Sequence, residues 1–200
     1  MLVMASRLVG APVLSMQAGG AIGRVTEPIV DPDSLKIIAF KLSGGPIGHT
    51  NILDVSSIRE YSSYGMVIDS IDELVEPDDV IKISKILALN FNLIGLKAET
   101  KKGNKLGKVI NYTADSDSFI IQQIIVKRPI LKSLNDPELT IHRKEIVEIT
   151  DYKVIIKDEE KKLKERAENE DFVPNFVNPF RERPDFAPAD TKIPAGKDTE

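Results

Sequence analysis

Apolar residues along this chain alternate with polar ones over short runs, and the runs then recur in the same order. The segment GRVTEPIVDPDSLKIIAFKL starts at Gly23, and GKVINYTADSDSFIIQQIIV starts at Gly107, 84 residues later and without a gap. Glycine, a base and valine lead, then Asp-x-Asp-Ser, then a long apolar run. A second block repeats 88 residues on, where IREYSSYGMVI from Ile58 matches IVEITDYKVII from Ile146, with Tyr64 on Tyr152. Two blocks at nearly one spacing indicate tandem duplication of one small unit.

Each copy reads as short strands divided by turns. In the first copy the pattern predicts strands over 11–16, 22–28, 35–42, 52–58 and 65–68. Gly19-Gly20 and Asp31-Pro32-Asp33-Ser34 supply turns, and 43–49 a loop. In the second copy, strands are predicted over 96–100, 106–113, 119–126 and 152–157. The turns there are Lys102-Gly103-Asn104 and Asp115-Ser116-Asp117-Ser118, and the loop over 127–140 is longer. Between the copies, Val80, Ile83, Ile86 and Leu87 fall at helical spacing. Pro77, Asp78 and Asp79 suit the first turn of that helix.

The domain reading is therefore a first repeat over 1–69, an acidic linker and helix over 70–89, a second repeat over 90–157, and a tail over 158–200. The tail opens with the charged run DEEKKLKERAENE. It continues with Pro174, Pro179, Pro184, Pro188 and Pro194 interspersed with Phe172, Phe176, Phe180 and Phe186. That composition predicts no regular structure from residue 171 onward, the phenylalanines either docking on a partner or belonging to a passive or self-docking tail.

Composition narrows the function classes. Apolar residues are 42% and charged residues 29%, as in an ordinary globular chain. Cysteine is absent, which excludes disulfide and thiolate chemistry and fits a reducing, cytoplasmic setting. No run approaches the ~20 apolar residues of a membrane span. The apolar start MLVMASRLVGAPVLSM lacks the basic flank of a signal peptide.

The net charge of −4 is unevenly spread. Residues 1–88 carry seven bases against eleven acids, residues 89–157 twelve against eight, and residues 158–200 eight against twelve. Acids of the first half gather at Asp69, Asp72, Glu73, Glu76, Asp78 and Asp79. Bases of the second half gather at Lys97, Lys101, Lys102, Lys105 and Lys108, and again at Lys127, Arg128 and Lys132. Bases sharing a face would attract an anionic partner. The candidate binding residues are accordingly Lys101, Lys102, Lys105, Lys127, Arg128 and Lys132.

No catalytic constellation is legible. His49 and His142 are the only histidines, do not correspond in the repeat and have no cysteine to join them. The glycines at 19, 20 and 23, and at 44, 45 and 48, do not open a helix after a strand, so they read as turns rather than phosphate loops. Asp31, Asp33, Asp115 and Asp117 lack an acidic ligand at calcium-loop spacing. No nucleophile elbow is present. The basic clusters lack interleaved aromatics.

The repeated order of Gly10, AIGRV, DPDS, LKIIAF and IREYSSYGMVI, and again of Gly95, KLGKV, DSDS, FIIQQIIV and IVEITDYKVII, resembles the PRC-barrel domain. That is the small β-barrel of the photosynthetic reaction-centre H subunit and of the ribosome maturation factor that binds a small-subunit ribosomal protein. The resemblance covers about residues 5–69 and 90–157. It implies a mainly β chain of two tandem PRC-type barrels joined by a short helix. It also implies a non-catalytic adaptor that holds a protein, or alternatively an RNA- or ribosome-associated maturation factor using the basic second barrel. The motif marks turns and core, so no catalytic, cofactor or metal residue comes with it, and no cofactor is expected.

Overall fold

The structure, a computed structural model, describes residues 1–45, 47–48, 51–129 and 137–158. The chain is mainly β, with sheet curled into half-barrel form. Two short segments lead, β1 (Leu2–Met4) and helix α1 (Ala5–Leu8). The first sheet is built from β2 (Pro12–Ser15), β3 (Gly20–Asp31), β4 (Lys36–Ser43), β5 (Ile52–Asp54), β6 (Glu60–Ser62), β7 (Gly65–Ile68) and β8 (Leu74–Val75), in the order β6-β7-β2-β3-β4-β5-β8. Helix α2 (Ile81–Leu89) follows. The second sheet contains β9 (Lys97–Thr100), β10 (Lys105–Asp115), β11 (Ile121–Lys127), β12 (Glu138–His142), β13 (Ile146–Ile149) and β14 (Lys153–Ile156). Its order, β13-β14-β9-β10-β11-β12, repeats that of β6 to β5 in the first sheet, and β1 pairs alongside β10.

The two sheets repeat each other register for register. Arg24 faces Ser43 and Val25 faces Leu42, as Lys108 faces Lys127 and Val109 faces Val126. Each long strand then bulges at the following residue, Thr26 or Ile110. One parallel pairing occurs in each, Val13 beside Met66 and Ala98 beside Val154. The segments ahead of β2 and β9 lock on identically. Gly10 N–H donates to Val25 O at 2.7 Å and Gly95 N–H to Val109 O at 2.8 Å. Val25 and Val109 thus fall on equivalent strands at equivalent positions, as the 84-residue repeat requires.

The Asp-x-Asp-Ser turns are built alike. The Asp31 carboxylate accepts from Asp33 N–H at 3.1 Å and from the Ser34 hydroxyl at 2.9 Å. The Asp115 carboxylate accepts from Asp117 N–H at 3.2 Å and from the Ser118 amide and hydroxyl, both at 2.9 Å. Leu35 and Phe119 follow with left-handed backbone, φ 48° and 56°. A bulky residue there costs about 1–2 kcal/mol. This corrects the expectation that the strands begin at Leu35 and Phe119: both residues belong to the turn.

The strain is held in place by a seam between the sheets. Ile37 N–H donates to Phe119 O and Ile121 N–H donates to Leu35 O, each at 2.9 Å, around an antiparallel bridge between Lys36 and Ile120. Each donor and acceptor maps on the other by the same repeat, so the contact is a pseudo-two-fold one. Leu35 and Phe119 are both buried, and the Phe119 ring meets Phe40 edge-on at 5.5 Å. One apolar core runs through both sheets. Arg143 adds an unsymmetrical clamp, donating to Leu35 O at 3.1 Å and Ser34 O at 2.7 Å.

Outer faces differ. On the first sheet Ile29, Ile38, Ala39 and Ile52 form an apolar patch covered by Ile83 of α2. The matching positions on the second sheet are Thr113, Gln122, Gln123 and Thr140. Polar side chains there give a helix nothing to bury against. Pro77 sits outside α2, in a separate turn where Glu76 N–H donates to the Asp79 carboxylate at 3.0 Å. The helix starts only at Ile81 and closes on Asn90, whose left-handed φ of 48° suits asparagine.

Two further expectations are corrected. The strand expected over 52–58 ends at Asp54, because its carboxylate accepts from Ser56 N–H at 2.7 Å and starts a 3-10 turn, Val55–Ser57. The end of the loop expected over 127–140 is strand β12, in which Leu139 and Ile141 alternate with polar neighbours. The tail from residue 159 onward, His49 and Lys132 lie outside the described residues. Among the described residues no helix is long and apolar enough to cross a membrane.

Phe119→Ala should lower stability by about 3–5 kcal/mol, the usual cost of emptying a buried aromatic site. Urea denaturation would measure it, and a loss below 1 kcal/mol would contradict the seam's importance. A second expectation concerns acid. The Ser118 amide and hydroxyl, with the N-terminal ammonium, lower the Asp115 carboxyl to about 2. Burial pushes Asp31 up, but the Ser34 hydroxyl and amide, the Asp33 amide and Lys82 bring it below the ordinary value. A depressed carboxyl stabilises the fold above the unfolded pKa of about 3.9, and that stabilisation fades as pH falls towards the folded value. Melting curves between pH 4.5 and 2 should therefore fall less steeply for Asp115→Asn than for the native chain.

Candidate anion-binding cleft

The repeat register decides which bases meet. Lys97 on β9 stands opposite Lys108 on β10, and Lys108 stands opposite Lys127 on β11. Three exposed lysines therefore form one row across three strands. Neighbouring strands lie about 4.8 Å apart, and like charges directly opposite each other destabilise a sheet. Lys105 and Arg128 join the row around a cleft of about 540 Å³. Glu99, the only acid on its lining among the described residues, is engaged by Lys153 at 3.5 Å.

The apolar part of the lining is Ala98, Gly107, Ile110 and Pro129. Gly107 is required there. Its φ is +149°, and a Cβ would overlap the carbonyl oxygen of Lys127. Any side chain at this position would push β11 away from β10 and dissolve the lysine row. Ile110 occupies the bulge and is 37% exposed.

Among the described residues, the first repeat does not repeat this row of bases. Pro12, Ala21, Arg24, Ser43 and Gly44 stand where the second has Lys97, Lys105, Lys108, Lys127 and Arg128. Arg24 is the one base among them, and its guanidinium donates to Gly10 O at 3.0 Å. After β4 the buried Ile47 packs close to Gly23.

Of the residues singled out from the sequence, Lys105, Lys127 and Arg128 line the cleft. Lys101 and Lys102 stand on the β9–β10 turn, away from the lining, where Lys101 N–H ties that turn to Ile156 O at 3.0 Å. Lys132 is outside the described residues. Lys97 and Lys108, from the sequence only two more bases of the second half, complete the lining. Their shared face follows only from knowing that β9, β10 and β11 are neighbours in this register.

His142 has a structural part: its amide donates to the Glu145 carboxylate at 3.2 Å in a capping box. No group of three metal-ligating side chains occurs among the described residues. No protein-family model matches the chain, and no curated protein gives a significant match.

Relieving the lysine row should stabilise the protein. Lys108→Gln removes the central charge and is expected to raise stability by roughly 0.2–1 kcal/mol, read as a higher urea midpoint that shrinks in high salt. A lower midpoint would mean that Lys108 has a partner the cleft geometry does not provide.

Proposed function

We propose that this chain is a non-catalytic binding module, a tandem pair of PRC-type barrels, whose second repeat captures an acidic protein segment in the lysine-rimmed cleft. The observation that carries this is the alignment of Lys97, Lys108 and Lys127 with Lys105 and Arg128 around one cleft, on only one of two otherwise matching sheets. Matching strand order and register support the tandem-barrel reading, and the PRC-barrel resemblance supports the adaptor role. A row of like charges costs stability in the free protein, and an anionic partner relieves that cost on binding.

A protein partner suits the cleft better than RNA. The described lining contains no aromatic side chain on which a base could stack. Its apolar floor suits a peptide with small apolar side chains between carboxylates. The chain as a whole is at −4, which opposes a long polyanion.

Fluorescence anisotropy with a labelled glutamate-rich peptide and a labelled single-stranded RNA tests the reading. The peptide should bind, and Lys97→Gln/Lys108→Gln/Lys127→Gln should weaken it at least about tenfold without lowering the melting temperature. Tighter binding of the RNA, with a steep salt dependence from counterion release, would instead favour a ribosome- or RNA-associated role.

A further inference from the structure

The first repeat carries a surface complementary to this cleft. The turn Glu76-Pro77-Asp78-Asp79 precedes α2, with Glu76, Asp78 and Asp79 all exposed. After Val80, Ile81 begins the helix and is 73% exposed. The Asp79 carboxylate braces the turn by accepting from Glu76 N–H, and the exposed Glu76 and Asp78 carboxylates take no part in that bond. An acidic knob followed by one exposed apolar side chain thus sits on one half of the molecule. A basic cleft with an exposed Ile110 on its lining sits on the other. The knob does not line the cleft of its own chain.

We infer that the cleft's acidic partner is a second copy of this chain, whose Glu76–Asp79 turn enters it with Ile81 resting beside Ile110. The inference rests on the proposed function, because it names the occupant of the same cleft. Charge complementarity selects this occupant: the halves bearing knob and cleft have opposite net charge, seven bases against eleven acids and twelve against eight. The contact is heterologous, knob to cleft, so each bound pair keeps one free knob and one free cleft. Assembly then grows head to tail unless the rotation closes a ring. Exposed ion pairs bring the copies together and salt screens them. The buried pair of isoleucines adds an apolar contribution that salt does not remove.

Sedimentation velocity on the full chain tests this over a range of concentrations, at about 0.05 M and about 0.5 M salt. The sedimentation coefficient should rise with concentration at low salt and rise much less at high salt. Two charge-reversed proteins sharpen the test: Glu76→Lys/Asp78→Lys, which spares the turn-holding Asp79, and Lys97→Glu/Lys108→Glu/Lys127→Glu. Each alone should stay monomeric, and their equimolar mixture should associate again, because each then meets an opposite charge. Circular dichroism melts establish that both are folded. Association that persists in either reversed protein alone places the interface elsewhere and overturns the inference. A native chain that stays monomeric at low salt yet binds the glutamate-rich peptide also overturns it, while leaving the cleft's acidic-segment role intact. A monomeric chain that binds no acidic peptide removes both readings.

Discussion

Everything in this fold hangs on two hydrogen bonds exchanged at a local symmetry axis. Ile37 and Ile121 each donate to the turn residue of the opposite repeat, Phe119 and Leu35. Those two carbonyls are presented correctly only because their residues adopt a left-handed backbone that a bulky side chain resists. The resistance is overcome by burial: both side chains enter the common core. A single repeat of about 70 residues buries too little apolar surface to be comfortable alone. Joined through this seam, the two halves share one core, and the residues that end the aspartate-braced turns, Leu35 and Phe119, are buried in it.

Much of this architecture could be read from the residues. The 84-residue repeat identified the Asp-x-Asp-Ser turns, the paired long strands and the equivalence of Val25 and Val109. What escaped was anything requiring knowledge of which strand lies beside which. Leu2–Met4 gives no periodic signal and forms a strand only because β10 offers a free edge beyond β9. The turn identity of Leu35 and Phe119 contradicts their own propensities, and tertiary burial overrode them. The cleft was half legible for the same reason. Lys105, Lys127 and Arg128 stood out as a charge surplus, whereas Lys97 and Lys108 join them through cross-strand register. Lys101 and Lys102, which look equally basic in sequence, belong to a different surface.

Duplication lets one copy keep the fold while the other changes its surface. Core and seam positions match between the repeats, yet the cleft positions run Pro12, Ala21, Arg24, Ser43, Gly44 in one and Lys97, Lys105, Lys108, Lys127, Arg128 in the other. None of these bases is needed to hold the sheet, and three of them strain it. The molecule is therefore nearly symmetric in its skeleton and unsymmetrical in its surface charge.

The polar quartet on the second sheet, Thr113, Gln122, Gln123 and Thr140, has a consequence for how the chain finds its structure. During folding, α2 emerges between two acceptor surfaces of almost the same shape and strand order. Shape alone would not tell it which one to cover. Ile29, Ile38, Ala39 and Ile52 reward docking on the first sheet, and the quartet withholds that reward on the second. A duplicated protein carries its own decoy, and here four side chains tell the helix which copy it belongs to.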